Sequence, residues 1–237
     1  MAGPEVNLSY SLPSAIAVGF ATFLATSPAI SADCASMAHS GVDWQDCPKR
    51  ALIIRESDLS GANLVETDFT STDLRHSNFD GANLEGATLV RSSLAGSSAK
   101  GANFAKVEGY RTDFSGVDAQ GSAFINAELQ RVEFSGANLA GTSFEKAELG
   151  RANFGGADLT GSRFTLANLA RADLSMAKFT GPLDFANAFF YLTRLGGLDL
   201  SAATGLTQYQ LDMACGDAET RLPAGLTAPA SWPCKLD

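Results

Sequence analysis

The chain has 237 residues, is 45 % hydrophobic and 18 % charged, contains 23 glycines, 15 phenylalanines and 2 tryptophans, and carries a net charge of −9 at neutral pH. That apolar content excludes an unfolded chain, and the acidic balance excludes nucleic-acid binding by phosphate neutralisation. Glycine at this abundance points to tight turns repeated many times.

Residues 1–32 read as a signal peptide. Residues 15–25 (AIAVGFATFLA) form an uncharged apolar run, followed by Ser27-Pro28 and the small-residue stretch 29–32, an arrangement that predicts cleavage after Ala32. The run is shorter than the roughly 20 apolar residues a bilayer span needs, so the membrane is met only transiently. The segment departs from the usual pattern in lacking Lys and Arg and in carrying Glu5; an uncleaved anchor is the alternative. The expected location is extracytoplasmic: periplasm, external medium or thylakoid lumen.

Residues 33–51 are expected to form an N-terminal cap, with Gly41-Val42-Asp43-Trp44 bracketed by Cys34 and Cys47. The other two cysteines, Cys215 and Cys234, lie near the far end. In an exported chain they read as disulfides, and a long rod between the pairs leaves only Cys34–Cys47 and Cys215–Cys234 within bonding reach. Zinc is the rival reading, weakened by the lack of a Cys-x-x-Cys and by the presence of only two histidines, His39 and His76.

From Leu59 to Phe179 every fifth residue is Leu or Phe at 22 of 25 positions; Ala99, Gly109 and Ala119 are the exceptions. Two residues before each stands a small or β-branched residue, and between them often Asp, Asn or Glu. A period of five fits neither a helix nor a simple strand. A second period of twenty overlies it: Gly61, Gly81, Gly101, Gly121, Gly141, Gly161 and Gly181, and, offset by ten, Arg91, Arg111, Arg131, Arg151 and Arg171. Four five-residue units therefore make one coil, and residues twenty apart stack. Phe104, Phe114 and Phe124 flank the levels where Gly109, Ala99 and Ala119 fall, so large inward side chains on two sides are offset by small ones on the others.

The motifs AlaAsnLeu at 62–64, 82–84 and 137–139 and AlaAspLeu at 157–159 and 172–174 resemble the pentapeptide-repeat family over residues 52–181. The resemblance implies an all-β fold, a right-handed quadrilateral β-helix with four repeats per coil. Six coils at the ~4.8 Å strand spacing make a rod roughly 30 Å long. Small disulfide-bonded caps are expected at its two ends. The best-known members of the family protect gyrase by mimicking DNA.

After Gly181-Pro182 the period breaks, and residues 182–237 are expected to form a C-terminal cap. Within it, residues 206–215 predict a short helix with Thr207 as N-cap and Gln210 at capping-box spacing. Phe185, Phe189, Phe190 and Tyr191 serve either as capping core or, if exposed, as a dimer interface.

No catalytic constellation stands out: His39 and His76 lack a nucleophile in a triad-like context, and no phosphate-loop or dinucleotide motif is present. The Asp and Asn residues before each inward Leu or Phe are expected to bond local backbone or neighbouring side chains, with calcium binding the lesser reading. The arginine column has two readings. One is a surface ion-pair network with Glu108, Glu128, Glu148, Asp113, Glu133 and Asp173; the other is a linear binding edge for an anionic polymer of the cell envelope. The function expected is a non-catalytic exported scaffold or interaction module, without metal or cofactor, whose partner is an unidentified protein or envelope polymer. The alternative is an acidic DNA mimic of the gyrase-protecting type, disfavoured by export and by residues 51–180, where 16 acids are interspersed with 12 bases.

Overall fold

The computed structural model describes Met1, Gly3 and residues 32–234; the apolar run at 15–25 lies outside the described residues. From Asp43 onward each five-residue unit contributes one parallel bridge to the residue twenty further on: Asp43↔Asn63, Pro48↔Asp68, Ile53↔Asp73, Asp58↔Asn78, and so on to Asp158↔Lys178. Four bridges per twenty residues give a four-sided β-helix.

The unit's composition explains its shape. Residues two before and at the Leu/Phe position point inward; the residue between them points outward and makes the bridge. Leu64 donates its N–H up to Asn83 (2.7 Å), and Asn63 donates down to Val42 (2.9 Å), so each face joins the coils on both sides. Two corner residues complete the unit, the second of them left-handed, with φ near +60° whether it is Gly61 (62°), His76 (58°) or Arg131 (60°).

The core is a set of stacked inward columns. Phe104, Phe124, Phe144, Phe164 and Phe185 stack with ring centroids 4.5 to 5.5 Å apart. Phe114, Phe134 and Phe154 form a second stack at 5.1 and 5.3 Å and meet the first edge to face. At these levels the other two columns narrow: a Cβ on Gly109 would come within 2.7 Å of Leu129 Cδ2. The inward Ser and Thr residues clip neighbouring coils together, as where Thr67 Oγ1 donates to Trp44 O (2.6 Å) and Thr112 Oγ1 to Leu89 O (2.6 Å). The outward Asn and Asp residues behave as expected from the sequence. Asn63, Asn103 and Asn138 each donate to the carboxylate or amide one coil below at 2.9 Å, and Asp58 and Asp68 each accept the N–H two residues on.

The coil path extends beyond residues 52–181 at both ends. It begins at Gly41, so Val42, Trp44, Cys47 and Lys49 are the first inward residues. The Lys49 ammonium lies 3.7 Å from the centre of the Trp44 ring and donates to Cys34 O (2.9 Å), and burial lowers its pKa. The disulfide Cys34–Cys47 holds this end. At the other end the period does not stop. One residue is inserted before Asp184, which bridges Arg163 at an offset of twenty-one, and the five-residue spacing resumes with Phe185, Phe190, Leu195 and Leu200, all fully buried. Helix α1 (Gln208–Met213) then covers the last coils, with the capping box of Thr207 and Gln210 formed. Gln210 Nε2 donates to Phe185 O (3.0 Å) and Ala188 O (2.9 Å), and Leu211 is buried. Cys215–Cys234 fastens the tail, whose Trp232 donates to Ala214 O (2.7 Å). The aromatic group of this region is split: Phe185 and Phe190 are core, while Phe189 and Tyr191 are about half exposed. No helix among the described residues is long and apolar enough to cross a membrane.

Candidate functional site: the arginine corner

Arg91, Arg111, Arg131, Arg151 and Arg171 occupy the left-handed position of one corner, with φ of 57°, 57°, 60°, 61° and 60°. A non-glycine residue there costs about 1–2 kcal/mol, and another corner of the coil relieves that cost with an unbroken glycine column. Each arginine N–H donates to the corner carbonyl of the next coil, Arg131 to Gly150 O and Arg151 to Ala170 O at 2.9 Å, and Arg171 to Tyr191 O at 2.8 Å. The guanidinium groups are thus launched from backbone points ~4.8 Å apart.

The ion-pair network expected around this column is not formed. The seven ion pairs among the described residues use Arg50, Arg75, Lys100, Lys106, Lys146, Arg194 and Arg221, and none of the five columned arginines. Four of the six acids are engaged elsewhere. Glu133 accepts from Asn153 (2.7 Å), Glu148 from Asn168 (2.8 Å), and Asp113 from Ser93 (3.0 Å), while Asp173 pairs with Arg194 (3.2 Å). The physical reason is the lack of an acid at the corner itself. The left-handed lysines Lys106 and Lys146 pair with Glu85 and Glu145, which occupy the corner position just before the left-handed one; before the arginines that position holds Val90, Tyr110, Gln130, Gly150 and Ala170.

The residues just before the arginines vary in size: Val90, Tyr110, Gln130, Gly150 and Ala170; past the inserted residue Tyr191 holds the same place, before Leu192. Where they are small, a shallow trough of about 380 Å³, broadly open to solvent, is lined by Gln130, Arg131, Gly150, Arg151, Ala170 and Arg171. Gly150 has no positive φ, and a Cβ on it would meet nothing closer than 3.8 Å, so neither conformation nor packing demands glycine. One coil beyond the lining on either side the same corner position holds a tyrosine: Tyr110, its ring 5.3 Å from the Arg111 guanidinium carbon, and Tyr191, stacked on Phe189 at 6.3 Å.

A second concavity of about 350 Å³ surrounds Ser71, Asp73, Arg75, Arg91 and Asp113. Here Arg75 bonds Asp73 through two nitrogens (2.8 and 2.7 Å) and holds that carboxyl at a pKa of about 2. Of the histidines, His39 bonds the Ser40 carbonyl (2.9 Å), and His76, next in the chain to Arg75, leans its ring over Gly96. Among the described residues no three His, Cys, Asp or Glu side chains converge as a metal site would require.

The profile of pentapeptide repeats matches in eight copies at residues 53–91, 77–108, 110–145 and 147–181, more than half of the chain. The chain belongs to the pentapeptide-repeat family. Its coils are those of the right-handed quadrilateral β-helix. Among solved structures this pentapeptide-repeat protein is similar to HetL, a pentapeptide repeat protein involved in heterocyst differentiation regulation from the cyanobacterium Nostoc sp. strain PCC 7120. Identity is 22 %, the match covers 79 % of this chain and 86 % of that one, and the TM-score is 0.53. It is also similar to a trypsin-treated form of QnrB1, a plasmid-mediated fluoroquinolone resistance protein, at 18 % identity over 80 % of this chain and 90 % of that one, with a TM-score of 0.62. At these identities the likeness shows the fold alone. No protein of curated function matches the sequence.

Sequence reasoning finds the arginine column of this pentapeptide-repeat protein but not its trough. The signal was present in Gln130, Gly150 and Ala170, twenty apart, yet their small size has meaning only once a corner is known to lie there.

Proposed function

We propose that this pentapeptide-repeat protein is an exported, non-catalytic scaffold that engages an anionic polymer of the cell envelope along its arginine corner. The observation that carries the reading is the column itself: five arginines twenty residues apart on one exposed corner, with no ion pair to any described acid. Many side chains take the left-handed corner conformation; what sets this column apart is positive charge repeated at each coil with no internal partner. Export is supported by the apolar run at 15–25 and by the joining of all four cysteines in disulfides, a state that persists in oxidising compartments. The DNA-mimic alternative draws on the acidic net charge and on the fold shared with QnrB1; the basic corner works against it.

The test is retention on an immobilised polyanion, dextran sulfate, along a salt gradient. The Arg131→Gln/Arg151→Gln/Arg171→Gln triple variant is expected to elute at markedly lower salt than the unaltered protein, because each guanidinium removed lowers the number of counter-ions released on binding. Elution of both at the same salt refutes the corner as the binding edge. Mass spectrometry of the protein from its native cell tests export: the expected mature chain begins at Asp33, and an intact N-terminus in the cytosol refutes it.

A further inference from the structure

Resting on that reading, we infer that the trough between Tyr110 and Tyr191 binds a single chain of acidic polysaccharide, a polymer with one carboxylate and several hydroxyls per sugar, in preference to a phosphate polymer. Three features of the trough point the same way.

The first is the floor. Gly150 is conformationally free to be another residue, so what it provides is room beside Arg131, Arg151 and Arg171. From Tyr110 to Tyr191 the corner climbs four coils, which is ~19 Å at the strand spacing. A short run of pyranose rings fits that length, and planar guanidinium groups meet carboxylates in a bidentate fashion.

The second is the pair of aromatic ends. Tyr110 is 36 % exposed and Tyr191 48 %, each a flat apolar ring with a polar tip. Sugar rings present C–H faces that pack on such surfaces. An inorganic polyphosphate has no apolar face to offer them.

The third is the charge pattern across the corner. Exposed Glu108, Glu128 and Glu148 lie on one flank of the arginines, and Asp113, Glu133 and Asp173 on the other. Carboxylates only accept hydrogen bonds. A sugar chain brings a hydroxyl donor for them on every ring, along with a carboxylate for the arginines. A polyphosphate brings only acceptors and a high charge density, so the flanking acids repel it, and a wide anionic surface such as a membrane would press against both acid columns at once.

The experiment is affinity electrophoresis of the whole mature protein through gels containing polygalacturonate, its fully methyl-esterified form or polyphosphate, at one ionic strength. Polygalacturonate is expected to retard the protein with at least about tenfold tighter apparent binding than polyphosphate, a difference of about 1.4 kcal/mol, and the neutral ester not at all. Gly150→Leu, which fills the floor, and Tyr110→Ala, an exposed truncation that leaves the core intact, are each expected to weaken polygalacturonate binding several-fold, with unchanged melting profiles. If polyphosphate retards the protein as strongly, in an arginine-dependent way indifferent to Gly150→Leu and Tyr110→Ala, the polysaccharide inference is overturned while the arginine edge stands. If no polyanion retards the protein, both readings are overturned.

Discussion

At the scale of single residues, every fifth position is a left-handed turn, and the side chain found there states what that corner is for. Glycine at Gly141 (φ 69°) lets the chain turn at low cost; arginine at Arg131 (φ 60°) turns it under strain. The two substitutions should therefore behave oppositely. Arg131→Gly is expected to leave the unfolding free energy unchanged or raised by up to about 1 kcal/mol, strain relief being partly offset by the freedom of glycine in the unfolded chain. Gly141→Val is expected to lower it by about 2 kcal/mol or more, since a β-branched residue is a genuine outlier there. Urea titrations of both check this, and a clear loss in Arg131→Gly would make the arginine a structural residue. The Asp73–Arg75 pair carries a pH signature. Its carboxyl titrates at about 2 in the folded protein against about 3.9 in an unfolded chain. Its stabilisation is thus fully present above the unfolded value and is lost as pH falls through about 2. Unaltered protein and Asp73→Asn should differ in urea midpoint at pH 5 and converge at pH 2. The columns of Gly and Arg were legible in the sequence. The missing ion pairs were not, because sequence spacing puts Arg111 three residues from Glu108 but does not say that Glu108 belongs to a face and bridges Thr88 and Glu128, while Arg111 belongs to a corner.

At the scale of elements, the phenylalanine stacks join one coil to the next. Phe124 touches Phe104 (4.5 Å) and Phe144 (5.2 Å) in its own column and Phe114 and Phe134 across the core (both 5.6 Å). Phe124→Ala is expected to cost about 3–5 kcal/mol, read as a lowered denaturation midpoint. The compensation by Ala99, Gly109 and Ala119 could be read from the sequence, since it needs only the period of twenty. The continuation past Pro182 could not be read with the phase fixed on Leu59. One inserted residue shifts Phe185, Phe190, Leu195 and Leu200 out of step, and an intact coil then looks like the end of the pattern. The same kind of blindness hid Lys49, whose charge disguises an inward position that is tolerable only because it lies at the mouth of the core, beside Trp44 and the Cys34 carbonyl.

At the scale of the whole molecule, a solenoid is stable coil by coil and vulnerable at its ends. Both ends are held by disulfides, as the positions of the cysteines along the rod already implied. Unreduced, unfolded protein is expected to show no free thiol in a colorimetric assay. Opening Cys215–Cys234 by the double serine substitution should lower stability by about 2–4 kcal/mol, with hydrogen exchange rising first over α1 and the last coils and not over the Phe124 levels. The trough was the least legible feature. It is built by residues of three successive coils, and no short linear window contains it. The strict offset of twenty has a further consequence. Since each coil in this stretch brings one guanidinium on the same backbone path, duplicating or deleting twenty residues would lengthen or shorten the charged edge by one step while leaving both ends closed. The protein is in that respect a ruler, one whose graduations a genome can add or remove singly to match the repeat length of whatever it measures.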